Sequence, residues 1–192
     1  MSFVNSRASV VKPQPDVLKG LAAGMIGGLV ASWVMEEFQY AWTEVSKSMQ
    51  EKGSNESSSA NNQEQSQNSE EEQEPATVKA AEAVSEKIFG HQLAKDEKKL
   101  AGNAVHYATG GASGAVYGAA AELIPEVTAG AGIPFGTAVW LIVDEGAVPL
   151  LQLSKAPTAY PVATHVYALA SHFVYGITTE VVRRGLRRTI LS

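Results

Sequence analysis

The stretch LAGNAVHYATGGASGAVYGAAA, Leu100 to Ala121, decides how the rest of the chain is read. It runs for 22 residues without a charge. A helix of that length is about 33 Å long, enough for a hydrocarbon core about 30 Å thick. Its glycines recur every fourth residue, at Gly102, Gly110, Gly114 and Gly118, with His106 in the same row and Glu122 just beyond. Residues four apart share one helix face. The alternative is a core helix of a soluble protein, since Ala- and Gly-rich helices of this length occur there. Such a helix normally carries a charged face, and this one has none over six turns.

Outward from this segment, three more uncharged runs appear: Gly20–Met35, Val127–Val143 over 17 residues and Ala156–Thr179 over 24. The first is short and follows Arg7, Lys12 and Lys19, so a cleaved signal peptide competes with a first span. Val30-Ala31-Ser32 is a weak cleavage site, and the later runs make secretion unnecessary. Arg and Lys favour the cytoplasmic side of a membrane. The N-terminal arm has three of them, and Arg183, Arg184, Arg187 and Arg188 follow the fourth run. Both ends therefore read as cytoplasmic, which requires an even number of spans. The expected fold is all-α: a polytopic bundle of about four transmembrane helices.

Charge divides the chain into unlike materials. Net charge is −5, yet Glu36–Lys99 holds fourteen acids and seven lysines, while Leu100–Val182 has Lys155 as its lone cation. Gly53–Pro75 is Ser, Asn, Gln and Glu with almost no apolar residue, and is expected to be a disordered acidic tether. Val78, Ala81, Val84 and Ile88 stand at helical spacing, so Thr77–Phe89 reads as an amphipathic helix that Gly90 stops. The expected organisation is an arm, first span and polar extension over 1–49, a linker over 50–76, an amphipathic region over 77–99, and three spans with a basic cytoplasmic tail over 100–192.

Packing follows from the small residues. Gly20, Gly24, Gly28 and Ser32 form a second row with the same four-residue spacing. Small faces let helix backbones approach closely, which favours association in lipid. The two rows are expected to be buried, against each other or against a second copy. Asn103, Thr109 and Ser113 place the Leu100–Ala121 helix inside the bundle.

The polar residues within the spans are the functional leads. His106 lies on the glycine row. His165 and His172 are seven apart on one helix, hence about 10 Å apart and too far to share one metal. Glu122 ends the second span. Asp144 and Glu145 lie at the boundary of the third if it covers Thr128–Val143, or in mid-membrane if it covers Ile133–Leu153. Charge burial at a helix centre is unfavourable, which favours the first placement. His106, Glu122, Asp144, Glu145, His165 and His172 together outline a candidate polar path for protons or ions. A haem or metal between His106 and a histidine of the last span is a further reading. So is the bland one, in which neutral histidines bond neighbouring helices.

Other chemistries are disfavoured. The chain has no cysteine, which removes disulfides, thiolate sites and Cys nucleophiles. No phosphate loop, HExxH, GxSxG or dinucleotide fingerprint occurs. Ser171, His172 and Glu145 supply the residue types of a triad, with nothing to support its geometry. No basic patch interleaved with aromatics points to nucleic acid. No enzyme activity and no cofactor is expected.

Several stretches also carry a resemblance. Gly20–Gly24 through Gly28–Ser32, Ala121–Pro125, Pro149-Leu150, His172 and the tail Glu180–Arg188 are similar, in that order along the chain, to the YagU-like family of uncharacterised bacterial inner-membrane proteins. The resemblance covers roughly the four membrane regions and not Gly53–Pro75; Asp144-Glu145 departs from it. It implies a bacterial inner-membrane location and agrees with the charge-based topology. It implies no reaction. The leading expectation is a non-enzymatic membrane bundle acting as a homo-oligomer or an accessory subunit of a membrane-protein partner. The alternative is a small transporter or channel for protons or a small solute.

Overall fold

Helix is the dominant regular structure, and no strand occurs among the described residues. The computed structural model describes residues 15–54 and 74–189. Arg7 and Lys12, and nearly all of the acidic tether with its expected disorder, lie outside those residues.

α1 (Val17–Ser54) is one unbroken helix of 38 residues, joining the first apolar run to its polar extension. α2 (Ala76–Val84) starts at Pro75 and widens into a π-helical turn over Ser85–Phe89. Gly90 ends it in the left-handed region, φ +64°. Val78 and Ala81 are buried, whereas Val84 and Ile88 are exposed. The π turn accommodates an extra residue per turn and rotates the face, so Ser85 takes the buried position instead. α3 (Lys95–Leu123) begins with Asp96 and Glu97, acids suited to a helix N-terminus. The Glu97 carboxylate accepts the Ala94 N–H at 2.8 Å.

The third apolar run departs from its expected bounds. Pro125–Thr128 forms a 3-10 turn, and the chain then reverses through Gly130, Ala131 and Gly132, all at positive φ. Helix starts only at Ile133, as α4 (Ile133–Val139). It continues as a π-helical segment, Trp140–Ala147, and a short α5 (Val148–Leu150). Asp144 and Glu145 thus lie inside the helical run, not beyond its end, in line with the alternative Ile133–Leu153 bounds. The fourth run is corrected too. Pro157–Ala159 is a 3-10 turn, α6 spans Val162–Thr189, and the tail arginines stand on its last turns.

α1 packs along α3 and α6, α2 on α3, and α4 on α6. α1 and α3 run antiparallel with the two small rows facing. A Cβ at Gly24 would overlap the Gly114 carbonyl oxygen, one at Gly28 that of Gly110, and one at Gly118 that of Gly20. Gly102, by contrast, admits Val78 of α2. A second close seam joins α4 to α6, where Gly132 and Gly136 meet Gly176. Gly132 is required twice over, by φ +90° and by the Gly176 carbonyl beside it. α3 is not enclosed: Ala104, Ala108, Ala112 and Val116 form an exposed stripe opposite α1.

Burial runs against the pattern of a water-soluble protein. The buried set includes Ser32, Ser171, His172, Thr179, Glu180 and Arg183, while Leu18, Trp33, Leu141, Ile142 and Val166 are exposed. Val17–Met49 and Ile133–Leu150 are long and apolar enough to cross a membrane, with mean hydropathy 1.6 and 1.3.

A polar cleft between the helices

The four-residue rows do more than pack. Past Ser32 the α1 row reaches Glu36, and above Gly110 the α3 row reaches His106. Beyond the glycines the helices no longer touch backbone to backbone. The space between them opens into a cleft of about 610 Å³ bounded by α1, α2, α3, the π-helical segment and α6. His106, Asp144 and His172 line it together with Glu36, Asn103 and Tyr175.

Hydrogen bonds fix the chemistry of this lining. The His172 Nδ1 lies 2.9 Å from the Ala168 carbonyl, an acceptor, so Nδ1 carries a proton. In the neutral ring Nε2 is then an acceptor, and it stands 3.8 Å from Asp144 Oδ2. His106 Nε2 is 4.0 Å from Glu36 Oε1. It is buried without a hydrogen-bond partner. The Tyr107 hydroxyl donates to Glu36 Oε2 at 2.7 Å. Tyr175 donates its hydroxyl to the Gly110 carbonyl at 2.6 Å and ties α6 to α3 below the cleft.

A cavity of about 240 Å³ adjoins, sharing Ala76, Asp144 and Val148 with the first. Here the His165 Nδ1 meets Glu145 Oε1 at 2.7 Å and its Nε2 meets the Pro157 carbonyl at 3.0 Å. Pro157 only accepts, so Nε2 carries a proton and one further proton is shared between Nδ1 and Glu145. Two consecutive acids on a π-helical segment thus face two histidines seven residues apart on α6. Such segments recur at functional sites.

Glu122 does not join this group. It lies sixteen residues along α3 from His106, about 24 Å by helix rise. There Arg187 donates to it at 2.7 and 2.9 Å, and the Asp16 N–H at 3.2 Å. The hydrogen bond from Arg187 holds the Glu122 carboxyl below the usual glutamate range, outweighing partial burial. Beside it, buried Glu180 accepts from Arg183 at 2.7 and 3.0 Å and also pairs with Arg184, which reaches the Thr128 carbonyl at 3.2 Å. The start of α1, the 125–128 turn and the end of α6 therefore meet at one end of the bundle. At the other end Lys98 bridges Glu74 and Glu82 at 2.7 and 2.6 Å. These two carboxylates hold it above the usual lysine range.

Sequence reasoning missed Glu36 and the Glu180 cluster. Glu36 continues the row of Gly20, Gly24, Gly28 and Ser32 by one step, and Glu180 precedes Arg183 and Arg184 at helical pairing distance. Both signals were present. Among the described residues, no group of three or more His, Asp or Glu is placed to hold a metal ion.

Among the described residues, fold and cleft define an all-helical protein with two helices able to cross a membrane and an acid- and histidine-lined cleft between its helices. The profile of a family described as protein of unknown function (DUF1440) matches residues 84–181, half of the chain, and the chain belongs to that family. The YagU-like resemblance is consistent with this assignment. No curated protein and no solved structure gives a match.

Proposed function

We propose that the chain is a four-span protein of the bacterial inner membrane, both ends cytoplasmic, whose cleft handles protons together with a small solute. One observation carries the functional part: two histidine–carboxylate pairs, His106 with Glu36 and His172 with Asp144, face one cleft. Ionisable groups within a membrane bundle are costly, pair with one another, and commonly mark a path or a ligand site. The membrane part draws support from the polar and charged side chains buried inside and the large apolar ones exposed outside, and the orientation from the arginines that α6 brings to the start of α1. The small rows of α1 and α3 are spent on each other, which moves the weight from self-association to the cleft. Association with a partner keeps one support, the exposed Ala104–Val116 stripe on α3.

Liposomes carrying the protein and an internal pH dye test the reading. An imposed pH gradient should collapse faster than in empty liposomes, and His172→Ala or Asp144→Asn should slow that collapse toward the empty rate. Wild type indistinguishable from empty liposomes refutes proton handling.

A further inference from the structure

What the cleft would hold follows from its donors and acceptors. Among the described residues its lining contains two carboxylates, Glu36 and Asp144, and no lysine or arginine. Two donors are already used, Tyr175 toward Gly110 and His172 Nδ1 toward Ala168, and the neutral hydroxyl and amide groups of Ser32, Thr77, Asn103 and Thr109 can either donate or accept, so the fixed charge of the lining comes from its carboxylates. Free acceptors remain at Asp144 and, in the neutral ring, at His172 Nε2. Glu36 Oε1 lies 4.0 Å from His106 Nε2, a nitrogen that is itself buried without a hydrogen bond. A site with spare acceptors and negative charge selects a ligand that brings donors and positive charge.

The rest of the lining sets the body of that ligand. Met35, Val139, Val143, Val148, Leu151 and Leu153 make its walls. A volume of about 610 Å³ is that of a small-molecule pocket and far exceeds what a hydrated proton or a bare ion fills.

Resting on the reading of the cleft as a solute site, we propose that it binds an organic ammonium ion: a protonated amine between Asp144 and Glu36, with an apolar body against the valine and leucine wall. Protons compete with it. Protonating His172, which faces Asp144 from α6 with His106 on α3 and Glu36 on α1 across the cleft, replaces an acceptor by a donor and adds like charge. The amine therefore binds more weakly as pH falls.

Titration calorimetry on the full chain in lipid nanodiscs, against empty nanodiscs, tests this with phenethylammonium, 2-phenylethanol and phenylacetate at pH 8 and pH 6. Phenethylammonium should bind in preference to the alcohol and the acid, and more tightly at pH 8. Asp144→Asn and Glu36→Gln should each weaken it about tenfold or more, the scale of one lost charged hydrogen bond. Unchanged thermal unfolding would show the variants folded, and Glu97→Gln, on the exposed start of α3, should bind normally. Equal binding of phenylacetate, or unchanged binding in both acid variants, overturns the proposal. A pH gradient that still collapses through His172 without amine binding overturns the ligand alone. Loss of both overturns the proposed function as well.

Discussion

Glu180 is almost wholly buried, and so is the Arg183 it holds. Neither charge has water to fall back on, so each depends on the other and on Arg184. Removing one member of a buried pair strands the rest, at about 3–5 kcal/mol. Glu180→Ala should destabilise the bundle by that order, read as a lower denaturation midpoint in detergent, while Lys47→Ala, on an exposed α1 pair, should leave it unchanged. Glu122 gives a pH-dependent version. Its carboxyl titrates lower folded than unfolded because Arg187 bonds the charged form. Its stabilisation is therefore complete above the ordinary glutamate range and is lost as pH falls through the depressed value. The thermal midpoint of the wild type should drop on acidification through that window, and Glu122→Gln should be less stable near neutrality with a smaller drop. Glu122 entered the sequence reading as part of a polar path because only its place at a helix end was legible. Its partner, Arg187, stands 65 residues away, and no local spacing announces such a pair.

Between helices, the small rows were legible and their register nearly so. Set antiparallel, Gly20, Gly24 and Gly28 meet Gly118, Gly114 and Gly110 one for one, and the Asp16 N–H reaches Glu122 in the same register. Extending that alignment the other way sets Ser32 opposite His106 and Glu36 one turn further along α1, 4.0 Å from His106 Nε2, so half the cleft follows from two spacings. The other half did not, because it depends on a π-helical segment and a late helix start. A π turn leaves no signature in apolar periodicity, and Gly130-Ala131-Gly132 could as well have opened a helix as preceded one. The contacts predict graded mutational effects. Gly24→Ala and Gly114→Ala each force Cβ onto a facing carbonyl and should destabilise by about 1–3 kcal/mol, as overpacking does. Because the two sites share one contact, the double variant should not show the sum. Gly185→Ala, on α6 with open space around it, should instead stabilise by up to about 1 kcal/mol through helix propensity. Denaturation midpoints of the four variants in one detergent give the order; a neutral Gly24→Ala would mean that α1 and α3 do not lie this close.

At the scale of the whole molecule the question is how many helices cross the bilayer. Only α1 and the Ile133–Leu150 run are apolar enough by composition alone, among the described residues. α3 and α6 are long enough, at 29 and 28 residues, but glycine, histidine, tyrosine and threonine dilute their hydropathy. Those are the residues that pack α3 and α6 and line the cleft, so the dilution belongs to their inward faces. A two-span protein and a four-span protein thus share one composition and differ in topology. With four spans, the 125–128 turn and the end of α6 lie on one side, as the Arg184 contact with the Thr128 carbonyl suggests, and the 151–161 segment lies on the other. The chain has no cysteine, so single introduced thiols report without background. In right-side-out vesicles, Ser154→Cys should react with a membrane-impermeant maleimide. Glu126→Cys and Arg188→Cys should react only after the membrane is opened. If Glu126→Cys and Arg188→Cys label from opposite faces, α6 does not return across the membrane and the four-span bundle fails. If Ser154→Cys labels from the same face as both, the Ile133–Leu150 run lies along the surface, and Asp144 and Glu145 face water rather than a membrane cleft.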